Sequence, residues 1–276
     1  MNELTLGIST CPNDTYIFDA LIHKKIEHDI LLGVRLEDVE TLNQWAVDSV
    51  LDVSKVSIHG WFHVIDQYRL LASGGAVGRG CGPLLISRRA QKPKSGKIAL
   101  PGERTSASLL FKLAVDGDFD FCHMPFNEII PAILSNQADA GVIIHESRFS
   151  YQDVGLKCVI DLGQWWEETT GCLIPLGGII VSNRLEKALQ LQIQTLIRQS
   201  VIYAGQNPHS AMEYVRRYAQ EIEDTIIQNH IDLYVNEYSV DLGPKGTAAI
   251  QTLYRVSVEK GLLPRNCLNK ENQLFI

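Results

Sequence analysis

The stretch Leu4-Thr5-Leu6-Gly7-Ile8-Ser9-Thr10-Cys11-Pro12-Asn13-Asp14 decides how this chain is read. Leu4, Leu6 and Ile8 alternate with Thr5, Gly7 and Ser9, the period of a strand; after the loop, Ile17, Phe18, Leu21 and Ile22 recur at helical spacing within residues 13–25. Outward from this unit the pattern predicts a strand near 31–36, a helix over 39–49 with Leu42, Trp45 and Ala46 on one face, and a strand over 52–57. The order β-α-β-α-β then repeats. A strand over 97–100 leads to a helix over 106–116 with Leu109, Leu110 and Leu113 inward, a strand over 119–123, a helix over 127–135 and a strand over 140–144. Pro131 falls in the early turns of the last of these helices and leaves its start open.

Such alternation predicts parallel sheets covered by helices on both faces, here as two α/β lobes around a central cleft. Residues 70–89, with Gly74, Gly75, Gly78, Gly80 and Gly82, read as a crossover or hinge that ends in a strand-like run. A return strand over 178–182 opens a helical tail, with helices over 185–204, from Asn207-Pro208, over 224–238 and over 243–261. The tail brings no sheet of its own, so it is expected to pack on the first lobe. The expected division is 1–88 with 179–276 as the larger lobe, and 89–178 as a smaller inserted one.

The 276 residues are 45% hydrophobic and 21% charged, which excludes disordered, collagenous and disulfide-stapled chains. Asp and Glu outnumber Lys and Arg, 32 to 25, and the net charge of -7 speaks against nucleic acid and anionic membrane surfaces as partners. No apolar run approaches the roughly 18–20 residues of a membrane span. The N-terminus carries no basic and apolar export pattern, so a cytoplasmic location is expected. Six cysteines stand singly, without metal spacing, as thiols of a reducing compartment. Gly78-Arg79-Gly80-Cys81-Gly82 lacks the Lys-Ser/Thr of a phosphate loop and precedes a strand. With no HExxH, no GxSxG and no carboxylate cluster, neither a metal nor a nucleotide cofactor is expected.

In open α/β sheets ligands lie beyond the carboxyl ends of the strands, which selects the loops 9–14, 55–59, 101–107 and 145–148. Thr105 or Ser106 can cap a helix whose first-turn N–H groups would accept a carboxylate or phosphate, and Thr10 to Asn13 repeats the arrangement in the other lobe. Two such helix starts across one cleft point to a small anionic ligand, although either is equally an ordinary cap. Lys55 and Ser57 share a strand face and suit a carboxylate and a hydroxyl; the same spacing describes a solvated edge lysine. His145 emerges from the apolar run Gly141 to Ile144 and has the titration range of a general acid–base group; a structural histidine fits that position too. Neighbouring residues on extended chain point opposite ways, so Glu146 is a doubtful partner for it.

At these loops the chain resembles a known family. Ser9-Thr10-Cys11-Pro12-Asn13-Asp14-Thr15, Leu36-Glu37-Asp38-Val39-Glu40-Thr41-Leu42-Asn43, Ser73-Gly74-Gly75-Ala76-Val77-Gly78-Arg79-Gly80 and Gly141-Val142-Ile143-Ile144-His145-Glu146-Ser147-Arg148-Phe149 are similar to the 1,4-dihydroxy-6-naphthoate synthases of the futalosine route to menaquinone. Asp161 to Glu167 and Tyr234 to Gly243 extend the likeness over nearly the whole chain. The resemblance implies an α/β fold of the type II periplasmic-binding-protein kind. It also implies a cofactor-independent lyase that converts cyclic dehypoxanthine futalosine to 1,4-dihydroxy-6-naphthoate and dihydroxyacetone. On it, His145 matches the general base, and Lys55, Val56 and Ser57 match one substrate-binding strand end. Ser106 and Ala107 match the other, where the family often reads Thr-Ala. Thr10, Asn13, Asn43, Thr105 and Arg148, from the same loops and motifs, complete the candidate set for a small carboxylate substrate. Two rivals are a chorismate dehydratase of similar fold and a non-catalytic small-carboxylate binder. The run 145–148 favours the synthase, and the oligomeric state stays open.

Overall fold

The computed structural model describes residues 3–219 and 223–264; Cys267 lies outside them. The first unit runs β1 (Leu4–Ile8), α1 (Pro12–Ile22), β2 (Leu32–Leu36), α2 (Val39–Val47), β3 (Val53–Ser57), α3 (Ile58–Phe62), β4 (Tyr68–Leu70) and β5 (Ala76–Gly78). The second runs β6 (Leu84–Ser87), β7 (Ser95–Leu100), α4 (Ser106–Ala114), β8 (Asp118–His123), α5 (Ile129–Leu134), β9 (Ala140–Ile143), α6 (Ser147–Ser150), β10 (Lys157–Asp161) and α7 (Leu162–Thr170). Then follow β11 (Ile174–Ser182), α8 (Lys187–Gln206), α9 (Met212–Tyr218), α10 (Asp224–Tyr234), α11 (Glu237–Val240) and α12 (Gly243–Glu259).

Strand pairing makes both sheets mixed rather than parallel. The first has the order β2-β1-β3-β11-β4, with β5 also on β11; the second has the order β10-β6-β9-β7-β8. Where strands are joined through helices, β1 with β2 and β3, and β7 with β8 and β9, the pairs are parallel as predicted. β11 and β6 instead arrive directly from the opposite lobe, with no crossover helix to turn them, and each pairs antiparallel with its neighbours. The same pairing shifts the division of the chain. Residues 84–87 belong to the second sheet, and β11 joins the first from Ile174, so the crossings fall at 79–83 and 171–173 rather than at 88 and 178.

The helical tail packs on the first sheet. α8, α9 and α10 cover α1, and Ile193, Ile197, Val201, Val215, Ile227 and Ile231 form one cluster with Leu6, Ile8, Ile17 and Phe18. This leaves α1 buried almost throughout, and its first turn faces the cleft with little exposure. Two tail boundaries differ from the sequence reading. Asn207 closes α8 instead of opening a helix, because its N–H and its side-chain amide both donate to the Tyr203 carbonyl. The helix expected over 224–238 breaks after Tyr234, where Asn236 starts α11 through a reciprocal cap with Ser239. Trp166 is fully buried in the core, with Nε1 donating to the Leu173 carbonyl at 2.9 Å.

At the first crossing the backbones of Gly82 and Gly163 nearly touch: a Cβ on Gly82 would lie 2.2 Å from the Gly163 Cα. Neither backbone can yield cheaply, so Gly82→Ala is expected to cost about 3 kcal/mol, the scale of an overpacked core. The melting midpoint should fall by about 5–10 °C, read by thermal denaturation. Gly205→Ala, in α8 with open space around its Cβ, is the control and should not destabilise.

Candidate active site

Between the sheets lies a narrow cavity of about 80 Å³ lined by both lobes. Its floor is an ion pair. Asp14 stands in the first turn of α1, where the helix start favours a negative charge, and Lys55 of β3 reaches it with Nζ 2.5 Å from Oδ1. Both are buried. The carboxylate also accepts from Ser9 Oγ at 2.6 Å and from Asn13 Nδ2 at 2.8 Å, so its charge is met by several donors at once. Gly177 of β11 leaves the lysine its path, since a Cβ there would meet Lys55 Cε at 2.9 Å. Thus the lysine read from sequence as a possible edge residue is an interior one, held by a partner 41 residues away.

His145 follows β9 and takes a left-handed backbone with φ of 55°, a conformation that costs of order 1 kcal/mol in a non-glycine residue. This turn puts its partly buried ring over the cavity, edge-on to Phe126 and stacked on His230. Burial brings the His145 pKa down to about 4; Asp14 raises it and Lys55 lowers it, both less strongly. At neutral pH the ring is therefore an uncharged base. Cys11 lies against it, with Sγ 3.4 Å from Nδ1 and 3.5 Å from Nε2. Burial, then the charges of Glu146 and Asp14, push this thiol well above its ordinary range, so it packs on the ring as a neutral group and not as a thiolate.

The other candidates separate into those that line the cavity and those behind it. Asn13, Val56, Ser57, Thr105, Ser106 and Ala107 join Lys55 and His145 on its wall. The hydroxyls of Thr105 and Ser106 are already engaged. Thr105 caps α4 by accepting from Ser108 N, and Ser106 donates across the cleft to the Leu176 carbonyl at 2.7 Å while accepting from His59 N. Three other candidates stand off the cavity wall in this structure. Asn43 is fully buried behind the wall; its Oδ1 accepts from Ser57 N at 2.9 Å and its amide donates to Ser57 Oγ, so it holds that strand end. Arg148 donates to the Gly82 carbonyl and pairs with Asp161 at 3.1 Å, clipping the crossing to the start of α7. Thr10 lies off the lining, partly exposed. Glu40 adds a latch between lobes, accepting from Glu103 N at 2.7 Å and Arg104 N at 2.9 Å.

Asp14, Tyr234 and Leu176 also line the cavity, and Glu146 and His230 stand behind His145. The residue-by-residue reading passed over His230 and Tyr234. Their signal was present: with Ile227 and Ile231 they keep the inward spacing of α10, which marks polar groups on a buried helix face.

Two mixed α/β lobes enclosing a buried polar cleft define a protein with the periplasmic-binding-protein fold. A crystal structure of a protein from Archaeoglobus fulgidus matches with a TM-score of 0.91 at 34% identity, over 95% of this chain and 98% of that one. The alkanesulfonate-binding protein SsuA from Xanthomonas axonopodis pv. citri, bound to MOPS, matches with a TM-score of 0.71 at 14% identity, over 95% and 94% of the two chains, and shares the fold alone. The family model described as menaquinone biosynthesis matches residues 4–259. A 1,4-dihydroxy-6-naphthoate synthase of Thermus thermophilus is 42% identical over 95% of this chain and 96% of its own length. The chain belongs to this menaquinone-biosynthesis family and is an enzyme.

Proposed function

We propose that the enzyme converts cyclic dehypoxanthine futalosine to 1,4-dihydroxy-6-naphthoate, with release of dihydroxyacetone, and that His145 initiates the reaction as general base. The observation that carries this reading is a neutral imidazole facing the same cavity as a buried lysine and the strand and helix ends at Ser57 and Ser106. Lys55 and the first-turn N–H groups of α4 would receive the ring carboxylate, and the polyol portion would lie toward Ser57 and Thr105. His145 takes a proton, a carbon–carbon bond breaks, and aromatisation of the second ring drives the step. The cross-cleft bonds of Glu40 and Ser106 hold the lobes together and keep water from the reacting centre. Likeness to the Thermus synthase over nearly all of both chains supports the same naphthoate product.

The test is to incubate the purified protein with cyclic dehypoxanthine futalosine and follow naphthoate absorbance and dihydroxyacetone. Conversion of chorismate in place of this substrate would overturn the assignment. The pH dependence is a sharper expectation. A base works only when deprotonated, so with a pKa of about 4 kcat/KM should hold down to about pH 5 and fall only below it, instead of breaking near 6.5. A pH–rate profile in the free-enzyme regime reads this directly.

A further inference from the structure

Outside the cavity, α3 carries two histidines one turn apart. His59 is buried, and His63, at the helix C-cap with an α backbone, is exposed, so the two share one face at the spacing i, i+4. Their Nε2 atoms lie 3.3 Å from each other, with the ring planes at 60°. The proton on His59 is placed by its other nitrogen. Nδ1 lies 3.1 Å from the Thr105 carbonyl, which can only accept, so Nδ1 carries the hydrogen and Nε2 presents its lone pair to His63. An imidazole whose far N–H is held by a backbone carbonyl is oriented as metal-ligating histidines are. The separation agrees with this. Two imidazole nitrogens bound at about 2.0–2.1 Å to one tetrahedral ion stand about 3.3–3.4 Å apart.

We propose that His59 and His63 form a binding site for a divalent transition-metal ion of the zinc class, set at the junction of the lobes. α3 belongs to the first lobe, while Thr105 caps α4 of the second. An ion on Nε2 makes the Nδ1–H of His59 a stronger donor, so its binding strengthens a contact between the lobes. In this structure His63 Nε2–H donates to the lone pair of His59. On binding, His63 moves that hydrogen to its own Nδ1 through solvent, both rings stay neutral and no net proton is released. Exposure of His63 gives the ion its way in and leaves the remaining coordination positions to water. Both histidines are held below the ordinary imidazole range, by burial first, so at neutral pH protons do not compete for the nitrogens. The charged groups that act on the pair are Glu103, Arg104 and Lys112. The two cations are drawn elsewhere, Arg104 to Gln44 and Glu103, and Lys112 over the Phe121 ring at 5.5 Å.

The test uses the purified enzyme and ZnCl₂ without substrate, so it stands apart from the reading of the reaction. Isothermal titration should give one Zn²⁺ per chain, bound at least about tenfold more tightly than by His63→Gln, because even losing a group that orients a ligand costs about 10–100-fold. At about a hundredfold excess over its dissociation constant, Zn²⁺ should raise the melting midpoint by about 5 °C in the wild type and leave that of the variant unchanged. In 15N-histidine NMR the Nε2 resonances of both rings should shift on binding while His59 keeps its Nδ1–H. An Nε2–H tautomer of His59, equally tight binding by His63→Gln, or no saturable binding at millimolar Zn²⁺ would overturn the proposal. So would binding that is kept in His63→Gln and lost in His230→Gln. That result would put the ion behind His145, where the donor atoms of His145, Glu146 and His230 lie within 4.8 Å of one another.

Discussion

His145→Asn is expected to lower kcat by about a thousandfold, within the 10²–10⁴ range that a positioned general base contributes. Asparagine is the informative replacement. Position 145 has a φ of 55°, and asparagine is among the few residues that adopt such a backbone readily, so the turn and the fold should survive while the proton acceptor is lost. Thermal denaturation should show an unchanged midpoint beside the lost turnover. Wild-type turnover by the variant would remove His145 from the mechanism.

The largest expected effect on stability is at the ion pair. Lys55→Met deletes the cation 2.5 Å from Asp14 and leaves a carboxylate of 1% exposure without its counter-charge. Breaking one side of a buried pair costs about 3–5 kcal/mol, which for a chain of this size lowers the melting midpoint by roughly 10 °C. Adding Asp14→Asn should restore most of that loss, because the double variant has no buried charge left to solvate and Ser9 and Asn13 can still bond the amide. If the single variant melted with the wild type, the pair would not be holding the two elements together. If the double variant were no better than the single one, the cost would lie in packing and not in charge.

Much of the fold is written locally. The period-2 and period-3.6 runs of residues 4–57 and 97–144 mark their strands and helices because each element must bury one face, and that need appears within a few residues of chain. The loops at strand ends were legible for the same reason, and they include the lysine, histidine, serines and threonine that line the cavity. That Asn43 braces Ser57 and Arg148 pairs with Asp161 was not legible, because a polar residue beside a site reads alike in sequence whether it faces a ligand or braces the residue that does.

By itself, then, the sequence determined that two β-α-β-α-β units exist, that their carboxyl ends line the cleft, and which family the loop motifs resemble. Only the tertiary structure decided the directions of β6 and β11, since strand polarity across lobes depends on where the chain crosses and not on residue pattern. It alone joined Asp14 to Lys55 and Asn13 to His230, partners 41 and 217 residues apart. Burial is likewise a property of the assembled fold: desolvation between the lobes, which no local spacing encodes, is what makes His145 a neutral base at pH 7.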